Sequence, residues 1–568
     1  MDKRFVIVRV LTDCFYCGNP RLTVREEFGA FFLGIRTNFA RLAGSLALVL
    51  VFVSSALTAC ANVYATDIKL NGSLDAAVIV PGDVLTVSYI LNDTASGGVW
   101  VRIYSGTNLV QTLSSAEEEA GTNSGLNTAI WSNTPDMAQG VYTVSITAAS
   151  TGYSTWTNIT DDGPNFFVNF PSGIAVNQNT NSLYYGRVYV ANSYPTGGDS
   201  PGDQVGILKC NADGSPADEG GFSTGGYGWG GQSDSPWKMA IGADDRVYVD
   251  DYANQGVVVS FNPILDDNSQ RQVVRTDNYP QPTVYFTGLS VIGSGANAAI
   301  WMTDAELSGS VGVNGWQIGT NGVAADNDPG FVVVPLDSSF LTKSPFDIAV
   351  DTNGYIDVIQ MLTTEDPAYA VMSFKTYGGM PVTMANWADG MFPQLLEAYG
   401  IASDPAGSRL AVAVVGTNGF EYDTTGGIYL YCSTNGDFMT DIDQTGGDGY
   451  YDVAWDNVGN LYALDNTRQV WRIYSPPGTN QATTVAVPVA QAYSALQPPT
   501  LINPVAEPAG LRFTLQGQSN VTYIIQSSSD LTQTNWSALK TNFSCLENRA
   551  ICVPVGGDQE YYRAVTGQ

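Results

Sequence analysis

The sequence predicts an all-β protein, and three observations predict it. Short runs of alternating apolar and polar residues fill most of the 568-residue chain, the pattern of half-buried strands. Sixty glycines and 27 prolines punctuate them, while the charged fraction of 14% is low for a helical protein. A phrase of two or three such runs also returns at intervals of 50 to 65 residues, as in "SPWKMAIGADDRVYVDD", "SPFDIAVDTNGYIDV" and "YYDVAWDNVGNLYALDN". A chain of this length is expected to form several domains.

Composition excludes several function classes. There is no histidine, so a histidine general base, a Ser-His-Asp triad and a histidine-ligated metal are absent from this chain. Carboxylate chemistry and oxygen-ligated metals stay open. The 54 acidic residues against 24 basic ones give a net charge of −30, which repels nucleic acid and anionic membrane. Solubility outside the cell is one reading of that surface, and attraction for divalent cations is the other.

Residues 1–65 are expected to direct export. "RLAGSLALVLVFVSSALTAC" (41–60) is an apolar run behind Arg36 and Arg41, short for a permanent span. Leu57-Thr58-Ala59-Cys60 resembles the lipobox of bacterial lipoproteins, which implies a lipidated Cys60 as the only membrane attachment. Val63-x-Ala65 suits simple secretion instead. Cys14 and Cys17 form a CxxC without the flanking pattern that redox or zinc chemistry needs.

Residues 66–165 read as a small antiparallel sandwich, from "DVLTVSYIL", "GVWVRIYS", "LVQTL", "TAIWS" and "GVYTVSITAAS". In that order these runs resemble the Ig-like domain of the flagellar hook-cap protein, which implies a spacer or docking module.

Residues 166–495 carry the repeat. Six inner runs, beginning at Gly173, Lys238, Gly288, Asp347, Gly400 and Asp452, are followed by a second strand and, in all but the third unit, a clear third one. Units of roughly 40–50 residues with about four strands each predict a six-bladed β-propeller. "GIAVD…G.VYVAD…N..V..F" wording resembles NHL-type repeats. "NFFVNF" (165–170) and "TTVAVPVA" (483–490) are alternative closing strands. Cys210 and Cys432 fall where Phe261, Phe374 and Tyr474 stand in other units, so they are expected to pack rather than react. Residues 496–510 read as a linker and 511–568 as a small β module, with Cys545 and Cys552 its natural disulfide pair.

Three places attract a functional reading. Lys238, Asp347 and Asp452 head inner runs beside three glycines, and would set two carboxylates and a cation at an open channel mouth; ordinary turn residues are the alternative. "DIDQTGGDGYYD" (441–452) puts Asp441, Asp443, Thr445 and Asp452 at offsets 1, 3, 5 and 12. That resembles an EF-hand-type calcium loop, but with Asp in place of the final Glu, Asp448 at the usual apolar position and no flanking helices. Tyr227 and Trp229 in "GGFSTGGYGWGGQSDSPW" (220–237) either stack on a sugar or pack on a neighbouring blade. The expectation is an exported, non-enzymatic cell-surface protein that binds a protein or glycan. The rival is a calcium-dependent propeller enzyme, lactonase-, lyase- or glycosidase-like; a purely structural surface protein is the third reading.

Overall fold

The computed structural model describes residues 62–566 apart from internal stretches, the longer being 133–138, 230–234, 276–285, 305–310, 336–340, 361–369, 384–396, 417–425, 445–448, 493–498, 518–522, 531–535, 543–547 and 555–560. Cys14, Cys17, Cys60 and Cys545 lie outside the described residues, as do Thr445, Gly446 and Asp448. The protein is all-β: among the described residues its regular structure is strands and a few short 3-10 turns. No helix among them is long and apolar enough to cross a membrane.

The N-terminal region is two sheets around one core. Ala65–Leu70, Leu85–Leu91 and Gly125–Trp131 form the first sheet, with Leu85–Leu91 in the middle. The second is built on the long strand Gly140–Tyr153, flanked by Gly98–Ser105 and then Asn108–Ser114. Alternation does the sorting: Leu85, Val87 and Tyr89 point inward from one sheet and meet Val99, Val101, Val144 and Ile146 of the other.

Six four-stranded antiparallel sheets follow, the first five in simple sequential order and the sixth with its outer strand supplied from ahead of the ring. Their first strands are Pro171–Val176, Met239–Ile241, Phe286–Ile292, Pro345–Val350, Ala398–Ser403 and Tyr450–Trp455. They agree with the six inner runs to within two residues at nearly every end. The third unit's unclear third strand is Val311–Gln317. Each first strand contacts the next, and that of the sixth sheet contacts that of the first, so the sheets close a ring.

Six apolar cores fill the wedges between neighbouring sheets. Period-two alternation makes this possible, because successive residues of a strand face opposite neighbours. In the second sheet Val247 and Val249 turn toward the first sheet, and Tyr248 toward the third.

Three boundaries differ from those read off the sequence. The fourth strand of the sixth sheet is Thr157–Asn158, which pairs with Val470–Ser475 and precedes the ring in the chain. "NFFVNF" extends that edge only through the Phe167–Val470 bridge and hydrogen bonds at Phe166 and Val168. "TTVAVPVA" goes elsewhere: Gly478–Val485 and Ala490–Ala492 both return to the sandwich and pair with Gly140–Tyr153. Finally, the expected linker 496–510 contains a strand, Thr500–Glu507. It belongs to the C-terminal module of two three-stranded sheets, whose core of Phe513, Ile525 and Ile551 is joined by Val78 and Val80 of the sandwich.

Candidate functional site at the ring axis

The six lead residues meet at the axis, where the sequence sets them in strict alternation: Gly173, Lys238, Gly288, Asp347, Gly400, Asp452. The glycines are there for space. A Cβ on Gly173 would lie 2.2 Å from the Trp237 carbonyl oxygen, one on Gly288 2.5 Å from Asp347 Cα, and one on Gly400 2.6 Å from Asp452 Cα. Each odd-numbered sheet thus gives up a side chain so that the next sheet can bring a charged one to the centre.

These three charges are buried and spent on one another. Lys238 Nζ donates to Asp452 Oδ1 at 2.8 Å and to Asp347 Oδ2 at 3.1 Å. It also donates to the carbonyl oxygens of Tyr399 and Tyr451, at 3.0 and 3.1 Å. Those carbonyls are available because the ladder skips a residue there: the register shifts between Ala398 and Gly400 and between Tyr450 and Asp452, leaving Tyr399 and Tyr451 as bulges. The carboxylates are also held by backbone, Asp347 by the N–H groups of Ile348 and Ile401 and Asp452 by that of Ile174. Burial alone would lower the Lys238 pKa, but its two carboxylate partners raise it. Burial raises both aspartates despite the ammonium beside them. The two carboxylates and the cation do come together, but closed on one another: the three residues tie sheets two, four and six together as a hub.

Beyond the hub lies a well of about 570 Å³, lined by the inner strands of all six sheets. Its walls are small side chains two residues past each lead: Ala175, Ala240, Ser290, Ala349, Ala402 and Ala454. The charged side chains that reach it are the three hub residues and Asp351, whose carboxylate accepts from the Tyr355 N–H at 2.7 Å.

An arc of aromatic rings marks the start of the inner strands. Tyr194, Phe170, Tyr451, Tyr399 and Phe346 follow one another at centroid distances of 6.2, 6.3, 5.0 and 4.7 Å. Tyr399 and Tyr451 stack within 11° of parallel, and they with Phe170 are half-buried, while Tyr194 is exposed. Sequence reasoning missed this arc. The available signal was the residue immediately before each lead: Trp237, Phe346, Tyr399 and Tyr451 are aromatic in four of six units.

The other candidates are placed elsewhere. Trp229 is buried against Phe261 (6.0 Å), with Tyr227 edge-on to it (4.8 Å) and the Tyr227 hydroxyl donating to Asp251 at 2.7 Å. Both belong to the core between the first two sheets. Asp441, Asp443 and Asp452 do not converge. Asp452 serves Lys238; Asp443 accepts from Arg472 at 2.8 Å and from the Tyr474 hydroxyl at 2.9 Å; Asp441 is exposed on an outer strand. Among the described residues no three Cys, Asp or Glu side chains gather as a metal would need. Cys210 is buried, and burial raises its thiol pKa well away from the reactive range.

No family model matches the chain, and no curated protein does. Among solved structures, the calcium structure of the Trichoderma reesei carbohydrate-active enzyme family AA12 is similar at 13% identity, over 58% of this chain and 97% of that one, with a TM-score of 0.35. The β-propeller domain of the Trilobed protease from Pyrococcus furiosus, described as having an open velcro topology, is similar at 10% identity, over 62% and 91%, with a TM-score of 0.27. At such scores the likenesses carry no argument about function.

Proposed function

We propose that the chain is an exported, non-enzymatic binding protein: a six-bladed β-propeller carried on an Ig-like sandwich, which engages a glycan or protein surface across the aromatic mouth of the ring. One observation carries this reading. The three charged groups that meet at the axis are consumed in the Lys238–Asp347–Asp452 hub and Asp351 in the well is held by the Tyr355 N–H, while the rings of Phe170, Tyr399 and Tyr451 stay partly open where the inner strands begin. General acid–base or metal-assisted chemistry needs groups with a free proton site or lone pair facing substrate, and a hub with each member already paired supplies neither. Stacked, half-exposed tyrosines suit sugar faces and protein side chains alike. The closed ring and its six wedge cores support the propeller reading, with the short strand Thr157–Asn158 closing the last blade.

Burial supports one of the two export routes. Tyr64 is fully buried, its ring 5.4 Å from that of Tyr185, and its N–H donates to Asn92. Cleavage after Ala65 would remove these contacts, whereas processing at Cys60 keeps them; a lipid-anchored Cys60 is therefore the form we propose.

The test is retention of the mature chain on immobilised peptidoglycan and on neutral and acidic polysaccharides. Retention on at least one, lost in Tyr399→Ala/Tyr451→Ala with the melting temperature held, supports the reading. Turnover of a lactone or glycoside substrate that Asp347→Asn abolishes, or retention indifferent to the tyrosines, would overturn it.

A further inference from the structure

The seam of the ring contains a second cavity, of about 750 Å³, on the sandwich side of the fifth and sixth sheets. The outer strand of the fifth sheet, Phe438–Ile442, spans five residues and the strand completing the sixth spans two, and the cavity lies beside both. The chain segment 154–158, which leads into that short strand, forms one wall.

The floor is a charge network that leaves little to give. Arg472 spends Nε and Nη2 on Asp162, at 2.9 and 2.5 Å. Its Nη1 serves Asp443 and Asp465, at 2.8 and 3.2 Å. Two arginines and two aspartates line the cavity, so it carries no net charge to draw an ionic ligand, and with Arg472 already held by its aspartates an entering anion would face the exposed Asp441 carboxylate.

The rim is different. Trp156 lines the cavity, held edge-on against Trp455 at 6.0 Å with the Arg409 guanidinium 5.7 Å from its ring centroid. Around it stand the hydroxyls of Ser154 and Thr155, the Asn158 amide and the exposed Asp441 carboxylate. Asn158 lines the cavity with its Oδ1 accepting from the Thr160 N–H and hydroxyl, so Nδ2 is the donor it has to offer. A fixed indole plane ringed by donors and an acceptor matches a ligand with one apolar face and many hydroxyls.

We propose that this seam cavity binds a neutral saccharide, which stacks on Trp156 while its hydroxyls bond to Asp441, Asn158, Ser154 and Thr155. The site is separate from the aromatic mouth and does not depend on that reading. The test titrates maltotriose, cellotriose, chitotriose and trigalacturonate into the mature chain, with heat and tryptophan fluorescence as readouts. At least one neutral trisaccharide should bind and trigalacturonate should not. Asp441→Ala removes one charged acceptor from an exposed position and should weaken binding about tenfold or more without moving the melting temperature. Trp156→Phe, which retains an aromatic ring against Trp455, should weaken it as well, and Tyr451→Ala should not. Failure of all three neutral trisaccharides at millimolar concentration, equal binding of trigalacturonate, or affinities unmoved by both seam variants would each overturn the proposal. Loss on Tyr451→Ala alone would assign saccharide binding to the mouth and leave that reading standing.

Discussion

The hub and the seam use the same chemistry to opposite ends. Both set a buried cation among aspartates, Lys238 between Asp347 and Asp452 at the axis and Arg472 among Asp162, Asp443 and Asp465 at the rim. At the hub, glycines let the backbones close until the cation is sealed by two carboxylates and two carbonyls. At the seam, a two-residue strand stops short and the network becomes the floor of a cavity. A cation among aspartates therefore fastens or receives according to how completely the surrounding backbone closes over it.

The sharpest way to break this contrast is to unbalance the hub. Lys238→Met leaves two buried carboxylates facing each other and should cost about 3–5 kcal/mol in denaturant unfolding. Combining it with Asp347→Asn and Asp452→Asn should recover much of that loss, because the backbone N–H bonds survive and the buried charge does not. A triple variant no more stable than the single one would mean that the ammonium itself, rather than charge balance, holds the hub.

Proton linkage gives the next effect. Burial pushes Asp357 up to about 7 and Asp456 up to about 6, from an ordinary 3.8. The folded chain thus keeps protons that the unfolded chain releases between these values. Stability is complete below that window and falls as pH rises through it, by about 4 kcal/mol for Asp357 and about 3 kcal/mol for Asp456. The melting temperature should be higher at pH 5 than at pH 8, and Asp357→Asn should flatten the curve. A melting temperature that climbs with pH over this range would remove the argument.

Gly400→Ala should cost about 1–3 kcal/mol through overpacking against Asp452, while Gly228→Ala, with nothing within 4 Å of the added Cβ, should be close to neutral. The smallest effect belongs to the seam. Asp441→Ala should change stability by less than about 0.5 kcal/mol, as an exposed side chain outside any network does.

Much of the ring was legible because each wedge must be filled from both sides, which forces period-two alternation to recur in every unit. The lead residues were legible too, but their pairing was not: that Gly173 makes room for Lys238, or Gly400 for Asp452, depends on a contact between units 50 to 65 residues apart. Thr157–Asn158 is too short to show any periodicity. Gly478–Val485 alternates like any strand, and alternation does not say which sheet it joins. Thr500–Glu507 was hidden by Pro504, which sits in a bulge beside Asn503, whose φ is 53°, where the register shifts between Ile502 and Val505. The EF-hand spacing counts oxygens without saying that Asp443 and Asp452 already serve Arg472 and Lys238.

The return of 478–492 to the sandwich also determines how the molecule bears tension. The chain leaves the sandwich at Tyr153 and comes back at Gly478, and these two residues are paired across the same ladder. The backbones pass so closely that a Cβ on Gly152 would sit 1.6 Å from the Gly478 carbonyl oxygen. A pull applied between the ends of the described chain reaches this ladder at its Gly140–Ala492 end, and the ring lies beyond the clasp as a closed loop. A load across the two ends would strain the sandwich first, leaving the ring at rest until the clasp gave way.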